Sequence, residues 1–443
     1  MDIPTVTRAS EMDAPQPSFA EAVREWTRIG ILSFGGPTAQ IALMHKVIVE
    51  ERKWLTESQF LNALSFCMLL PGPEAMQLAT YAGWRLHGVA GGLAAGLLFV
   101  LPGAAVVLAL AVVYALYGNV PFVEALFFGI KAAVLVIVVE ALLRIARRAL
   151  KGWVHWAIAG ASFVGIFLLG LPFPLIILAA AGIGLAGAVT DGSTAADGSA
   201  APPRAVPLSK TFATIAVWLA VWMIPLAAVV SIFGMGHVLS QLALFFSKLA
   251  VVTFGGAYAV LAYMTDTVVT QHGWLEPGQM LDGLGLAETT PGPLILVTEF
   301  VGFLAAFRHG GGPPLAMGLL GAAVALWATF APCFLWIFAG APYIERLNTQ
   351  PRLKSALSAI TAAVVGVILN LAVWFALHVF FGAVHRVTAG PLRLWLPDPA
   401  TLDWRIVALA AVSGWLLLRQ HWGIAPVLAV AAGLSLAMRG LGL

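Results

Sequence analysis

Glycine and proline interrupt two pairs of apolar stretches in this sequence, and the interruptions are its most distinctive chemical feature. The first pair is FGGP at 34–37 and PGP at 71–73; the second is FGG at 254–256 and PGP at 291–293. Proline breaks a helix, so a new helix has to begin at each interruption. A helix N-terminus carries free N–H groups and partial positive charge, and glycine lets a ligand approach the backbone. The pattern predicts an anion site built from helix N-termini, with helices starting at Pro37, Glu74, Ala257 and Leu294.

The composition places these interruptions inside a membrane. Of the 443 residues, 60% are hydrophobic and only 10% are charged, and the mean hydropathy is +0.92. A soluble domain carries about a quarter charged residues, so we expect an all-α polytopic membrane protein in contact with the lipid bilayer. Cys67 and Cys333 stand alone, which predicts neither a disulfide framework nor a metal site.

Ionisable and hydroxyl side chains near the interruptions complete the candidate site. Lys131 and Lys248 lie inside apolar runs, where a lysine is costly and marks a functional hypothesis, although Lys131 has Glu124 or Glu140 as alternative structural partners. Glu74, Glu288 and Glu299 are candidates for a proton- or ion-coupling group, and Glu74 has the alternative role of a helix cap. The candidate anion-binding residues are Gly35, Gly36, Pro37, Thr38, Pro71, Gly72, Pro73, Glu74, Arg85, Lys131, Lys248, Gly255, Gly256, Pro291, Gly292 and Pro293.

The two pairs of interruptions belong to an internal repeat. Residues 34–73 align without a gap to 254–293, and 15 of the 40 positions are identical. Basic residues change sides between the copies: 45–58 contains Lys46, Arg52 and Lys53, whereas 265–278 contains neither lysine nor arginine. This swap of positive charge predicts two repeats of inverted topology, joined by an odd linking transmembrane helix.

The predicted boundaries follow from this repeat. We expect a polar N-terminal tail at 1–18, a first repeat at 19–189, a polar cytoplasmic linker at 190–210, a linking helix at 211–234 and a second repeat at 235–443. The helical pieces around each interruption are too short to span a membrane, which leaves re-entrant hairpins or broken spanning helices as alternatives. Hairpins are favoured because they keep 24–28, 45–58 and 85–87 on the cytoplasmic side. Four crossings per half then place the N-terminus in the cytoplasm and the C-terminus in the periplasm.

The quoted motifs resemble those of the chromate transporter family, in its long, two-domain form. The resemblance is carried by SFGGPTAQIALMHKVIVEERKWL and LLPGPEAMQLATYAGWRLHG in the first half, and by FGGAYAVLAYM and TTPGPLILVTEFVG in the second. It implies a secondary transporter that exports chromate across the bacterial inner membrane and so confers chromate resistance, with sulfate as a competing or exchanged anion. Pro37 is replaced by Ala257 in the second copy, so the halves need not contribute equally.

The sequence also leaves other functions open as alternatives. These are uptake of sulfate or another oxyanion, and an anion channel. A membrane chromate reductase is disfavoured, because no cofactor motif accompanies the two isolated cysteines, and no enzymatic activity is expected. The sequence contains no GxxxxGK[ST] phosphate-binding loop. We expect no nucleic-acid partner, and the oligomeric state stays open, with a homodimer as one alternative.

Overall fold

The computed structural model describes residues 17–118, 120–187, 207–252, 254, 257–344, 350–390 and 392–442. These residues form sixteen α-helices and one β-hairpin. The first-half helices are α1 Phe19–Leu32, α2 Gly36–His45, α3 Glu57–Cys67, α4 Glu74–Tyr117, α5 Pro121–Ala149, α6 Trp153–Phe167 and α7 Phe173–Leu185. Then follow α8 Leu208–Phe233, α9 Val238–Val252, α10 Ala257–Thr265, α11 Pro277–Thr289, α12 Val297–His309, α13 Pro314–Gly340, α14 Pro351–Phe380, α15 Trp404–Gly414 and α16 Ile424–Gly440. The architecture is the predicted all-α polytopic fold, and most of the predicted tail and linker lie outside the described residues.

The interrupted segments of the first half form re-entrant hairpins rather than broken spanning helices. Arg52, which follows α2, forms ion pairs with Glu21 and Glu25 near the start of α1, so the chain returns to the face from which it entered. The α3–α4 segment also returns. His45 contacts Glu57 at the start of α3, and the His87 ring lies 5.6 Å from that of Phe19. At His87 and Gly88 the backbone of α4 leaves the helical conformation, which separates the returning half-helix from the crossing that follows.

The turn between paired half-helices has the same construction in both halves. A π-helical segment, Lys46–Glu51 or Asp266–Gln271, continues α2 or α10. The next helix starts with a capping box, Thr56 with Gln59 or Glu276 with Gln279, in which each side chain bonds the backbone N–H of the other residue. Because the same backbone features occur at corresponding positions, the two copies are similar in structure as well as in sequence.

The two halves have opposite orientations. Gly92 and Gly96 of α4 pack against Phe338 and Phe334 of α13, respectively, so these corresponding helices run antiparallel. The described termini lie on opposite faces, because α1 begins beside His87 whereas Arg439, near the end of α16, donates to the Pro121 carbonyl at the far end of α4. We call the face that carries Arg28, Arg52, Arg147 and Lys354 the basic face, and the other one the opposite face. The predicted inversion is confirmed.

Each half completes the core of the other. Helices α6 and α7 of the first half pack against α14, and α15 and α16 of the second half pack against α5. Close helix approach at small residues holds these contacts: Gly184 of α7 meets the Ser355 carbonyl, and Gly129 of α5 meets the Ala431 carbonyl. Helices α5 and α14 also contact each other, and we call the six helices α5, α6, α7, α14, α15 and α16 the scaffold.

The transmembrane part of the fold differs from the prediction in two ways: some helices are shorter than a full crossing, and a β-hairpin is present. Within the described residues, α4, α5, α8, α13 and α14 are long and apolar enough to cross a membrane by length and composition. Helices α6 and α7, two of the four crossings expected in the first half, have 15 and 13 residues, fewer than the about 20 of a full transmembrane helix. An unpredicted β-hairpin, Val384–Ala389 paired with Leu392–Pro397, lies between α14 and α15. The linking helix is α8, close to the predicted 211–234, and it is largely exposed.

Candidate functional site

Four half-helices begin at the interruptions, as the sequence predicts. Helix α2 starts at Gly36 with Pro37 in its first turn, and α4 starts at Glu74 directly after Pro73. In the second half α10 starts at Ala257, and a 3-10 turn at Leu294–Leu296 leads into α12. Gly35 and Gly36 have φ of +86° and +75°, a left-handed conformation that favours glycine. The predicted positions of the helix N-termini therefore agree with the fold.

The interruptions of one half pair with those of the other. The backbone N–H of Gly292, in the second PGP, donates to the Ser33 carbonyl at the end of α1 over 2.8 Å. The Gln40 side chain donates from Nε2 to the Gly292 carbonyl at 2.6 Å and to the Ser33 carbonyl at 3.3 Å. These bonds join the first-half FGGP region to the second-half PGP, and the Gln40 side chain that makes two of them is buried.

Both PGP turns rest on corresponding positions of the crossing helices. A β-carbon on Gly103 of α4 would stand 2.1 Å from the Pro291 carbonyl oxygen, so this turn needs a residue without a side chain beneath it. A β-carbon on Gly72 would stand 3.1 Å from Sγ of Cys333 on α13. Positions 103 and 333 follow the aligned Pro102 and Pro332, so the two PGP turns contact equivalent positions of the repeat.

A cavity lies where the first-half PGP faces the start of α10. Its lining residues are Gly72, Pro73, Leu249, Ala250, Ala257, Val260, Ile295 and Thr329. Among the described residues of that lining, Thr329 supplies the one polar side chain. Polar recognition by these residues therefore depends on backbone dipoles at the half-helix starts, since none of them is a lysine or arginine.

Two buried glutamines tie the first-half interruptions. Gln40 bonds across to the second half, and Gln77 donates from Nε2 to the Pro71 carbonyl over 2.7 Å. The Oε1 atoms of both are buried and have no hydrogen-bond partner among the described residues. The aligned positions of the second half are Val260 and Val297, so this polar pair belongs to the first half alone.

Lys131 lies away from the interruptions and joins the two halves. Its Nζ is 3.4 Å from Oδ2 of Asp282 on α11, and the Tyr114 hydroxyl donates to the same oxygen over 2.7 Å. The partners considered from the sequence pair elsewhere, Glu124 with Arg439 and Glu140 with Arg144. Lys131 therefore takes part in an ion pair between α5 and α11 in this structure.

The remaining candidates are dispersed. Glu288 is buried and accepts a hydrogen bond from the Tyr258 hydroxyl over 2.7 Å, and Glu299 is buried in the first turn of α12. Arg85 and Thr38 are exposed, and Lys248 is exposed with its Nζ 5.8 Å from the centre of the Tyr263 ring. Gly255 and Gly256 lie outside the described residues. The structure thus brings Gly72, Pro73 and Ala257 together but leaves the candidate cations outside the central cavity.

Sequence reasoning missed Asp282, Gln40 and Gln77. The glutamines had a readable signal, because each follows its interruption by one helical turn and stands in an apolar run. Asp282 aligns with Asn62, so the repeat itself marked it as polar in both halves. Its pairing with Lys131 was not readable, since it depends on the packing of α11 against α5.

Comparison with known proteins agrees with these features. Residues 20–185 and 240–438 match the family model described as chromate transporter. A probable chromate transport protein of Synechococcus elongatus is 30% identical over 408 residues, which cover 90% of this chain and 96% of that protein. Chromate transport proteins of Cupriavidus metallidurans and Pseudomonas aeruginosa are 30% and 33% identical, covering 82% and 81% of this chain and 84% and 81% of theirs. No solved structure matches the chain.

The matched regions contain both FGG segments and both PGP turns, together with the scaffold helices. The matched relatives are named as transport proteins, in keeping with a chain whose described residues include five helices able to cross a membrane. This multi-pass membrane protein belongs to the chromate transporter family.

Proposed function

We propose that this protein is a secondary transporter that exports chromate from the cytoplasm and thereby confers chromate resistance. Chromate is a tetrahedral dianion, and sulfate has the same shape and charge, so we expect sulfate to compete. The observation that carries the proposal is the pairing of interruptions from two inverted halves, with Gly292 bonded to Ser33 across the repeat. It gathers half-helix starts from both halves around the cavity beside Gly72.

Backbone dipoles suit such a substrate. A helix N-terminus offers N–H donors and partial positive charge without the cost of burying a lysine or arginine in lipid. The half-helices that begin at Glu74 and Ala257 meet at the cavity, and Thr329 adds a hydroxyl. A site made in this way binds an anion by shape and dipole, which accounts for competition between two similar oxyanions.

The direction of transport follows from the membrane potential. Moving a charge across the membrane changes its free energy by about 2.3 kcal/mol per 100 mV, so expelling a dianion from a cell that is negative inside is favourable. Positive charge on the basic face supports a cytoplasmic location for that face. The end of α16 then lies on the periplasmic side of the bacterial inner membrane. Glu74, Glu288 and Glu299 remain the proposed coupling groups.

Flux measurements on the purified protein test this proposal. Proteoliposomes loaded with radiolabelled chromate are given a potential of either sign, with or without sulfate on the other side. We expect saturable chromate flux that changes with the potential or with trans-sulfate. Flux that responds to neither would overturn the proposed coupling, and flux that does not saturate would indicate a channel. Cells expressing the protein should accumulate less chromate; greater accumulation would indicate uptake.

A pair of alanine substitutions tests the backbone site. A β-carbon on Gly36 would have no atom within 4 Å, so Gly36→Ala adds only the strain of φ +75°, about 1–2 kcal/mol, and a methyl group at the interruption. Gly390→Ala is a matched control, because Gly390 has φ +61° and the same open surroundings in the β-hairpin turn. We expect Gly36→Ala to lower chromate flux at least fivefold and Gly390→Ala to leave it unchanged. Equal flux in both variants would count against anion contact at Gly36.

A further inference from the structure

Helices α3 and α11 occupy corresponding positions in the repeat, yet one is exposed where the other is buried. On α11, Leu281 and Glu288 are 1% and 5% exposed, and Asp282 and Gly285 between them are also buried. The aligned residues of α3 are Leu61, Asn62, Ser65 and Met68; all four are exposed, Leu61 at 48% and Met68 at 62%. These positions form one stripe along each helix. The same face of the repeat is thus packed in one half and open in the other.

The packed stripe of α11 lies against α5 of the scaffold. Lys131 pairs with Asp282, and a β-carbon on Gly285 would stand 2.4 Å from Cγ2 of Ile130 and 3.1 Å from Cγ2 of Val134. Helix α10 packs against α14 in the same half. Within the described residues, α3 packs mainly against α4, and neither α2 nor α3 makes comparable contact with α5 or α14.

Helices α2 and α10 show the same difference. Tyr258, Ala259 and Ala262 of α10 are buried, whereas the aligned Thr38, Ala39 and Ala42 of α2 are exposed. Irregular backbone at membrane depth does not face lipid; it is buried in protein or lines a water-filled cavity. The exposed turn at Gly35 therefore indicates a water-filled opening between the first-half hairpins and the scaffold, on the basic face.

We propose that Lys131, Asp282 and Tyr114 form a gate that closes the opposite face, and that this structure is open at the basic face. Because the scaffold contacts are reciprocal between the halves, the packing of α11 on α5 has a counterpart in packing of α3 on α14. Transport then alternates between the two: α11 leaves α5, which separates Lys131 from Asp282, while α3 closes on α14. In that second state Asn62 faces Thr361, which aligns with Lys131. The gate explains how the proposed transport would alternate between the two faces, and the proposal therefore rests on that transport function.

Two disulfide pairs, related by the repeat, test this exchange. A β-carbon on Gly285 would be 3.9 Å from Cβ of Ile130, within the range for a disulfide, and Ile130→Cys removes the methyl group that it would otherwise meet. The pair Gly285→Cys with Ile130→Cys therefore reports the present state. The aligned pair, Ser65→Cys with Ile360→Cys, reports the alternate state. Both pairs are placed in a background with Cys67→Ala and Cys333→Ala, and crosslinking in native membranes is followed by mass spectrometry.

We expect each pair to crosslink under oxidant, and each crosslink to reduce chromate flux at least tenfold until a reductant restores it. A protein carrying all four cysteines should form one crosslink or the other in a given molecule. A Ser65–Ile360 pair that fails to crosslink in protein still active for flux would overturn the proposal, as would both crosslinks in one molecule. Crosslinking is measured without chromate, so its outcome is independent of whether chromate is the substrate.

A charge exchange separates a gate from a direct anion site. We expect Lys131→Asp and Asp282→Lys each to abolish flux, and the double variant to recover at least a tenth of wild-type flux, because the ion pair is restored in reverse. Membrane abundance of each variant shows whether it folds. If the double variant is abundant and inactive, Lys131 acts from its own position on the anion, and the gate proposal is wrong.

Discussion

The turn that joins α2 to α3 and the turn that joins α10 to α11 have one backbone and two different surfaces. In both, the backbone N–H of a tryptophan closes the π-helical segment. The N–H of Trp54 donates to the Ile48 carbonyl at 2.8 Å, and that of Trp274 donates to the Val268 carbonyl at 2.9 Å. Arg52 in the first turn pairs with the buried Glu25. In the second, His272 stacks on Trp274 with ring centres 4.2 Å apart, and Phe245 replaces Glu25.

The difference separates what shapes the hairpin from what orients it. The π-helical segment and the capping box are present in both turns, so they determine the fold of the hairpin. The Arg52–Glu25 ion pair is found in the first turn, on the basic face, where the positive-inside rule favours the arginine, and the aligned residues of the second turn are His272 and Phe245. The same hairpin backbone thus occurs on both sides of the membrane, with Arg52 and Glu25 of the first turn replaced by the aromatic rings of His272 and Phe245 in the second.

Placing a residue of one half at the corresponding position of the other tests this comparison. The largest effect is expected for Gly103→Cys, which introduces the counterpart Cys333. Its β-carbon would stand 2.1 Å from the Pro291 carbonyl oxygen, so the second PGP turn has to move and its bond to Ser33 is lost. We expect chromate flux to be abolished. The reciprocal Cys333→Gly should cost about 1–3 kcal/mol of stability, through helix propensity and the loss of a buried side chain, and retain flux. Equal chromate flux in the two variants would show that the residues beneath the two PGP turns are interchangeable.

Lys131→Thr, which introduces the counterpart Thr361, is expected to have the next largest effect. It removes the cation from buried Asp282 and leaves Tyr114 as the partner of that carboxylate. We expect a loss of chromate resistance of at least tenfold at normal membrane abundance, because an unpaired buried charge is costly and the closed packing is weakened. Lys131→Arg keeps the charge and should retain part of the resistance. Wild-type resistance in Lys131→Thr would remove this residue from the transport mechanism.

Arg52→His introduces the counterpart His272 and should act on stability rather than on flux. Glu25 is buried and keeps Arg28 at 3.4 Å, while Arg52 is partly exposed, so we expect a loss of about 1–3 kcal/mol. Thermal unfolding of the purified variant measures the change. His272→Ala in the other turn should cost less than half as much, because it loses only a stacked ring. A larger cost for His272→Ala would mean that the aromatic turn is the more strongly held one.

Thr56→Glu introduces the counterpart Glu276 and should have the smallest effect. Both residues accept a hydrogen bond from the glutamine N–H three positions later, so the capping box is kept. We expect unfolding to change by less than about 0.5 kcal/mol, whereas Thr56→Ala should cost about 1 kcal/mol. A Thr56→Glu variant as unstable as Thr56→Ala would show that the two turns need different caps.

The repeat made much of this fold predictable. The proline and glycine interruptions located the starts of α2 and α4, and the distribution of lysine and arginine located the inversion, because both depend on local backbone chemistry and on charge. The hairpin alternative was also favoured correctly, since Arg52 and Glu25 lie close enough to pair only if the chain turns back. Pairing between halves was not predictable in this way. The contact of Gly292 with Ser33 and that of Lys131 with Asp282 join residues far apart in sequence, and the unequal packing of α3 and α11 is invisible in aligned residues.

The reciprocal contacts of the scaffold have a consequence for assembly. Since α6 and α7 pack against α14, and α15 and α16 against α5, neither half encloses its own long central helix. A polypeptide ending after α7 would expose the surfaces that the missing half covers, and would be a target for membrane proteases. Supplied as two separate chains in one cell, with α8 kept on the second, the halves should rescue each other's abundance. The covalent link is then needed only to ensure equal production of the two pieces.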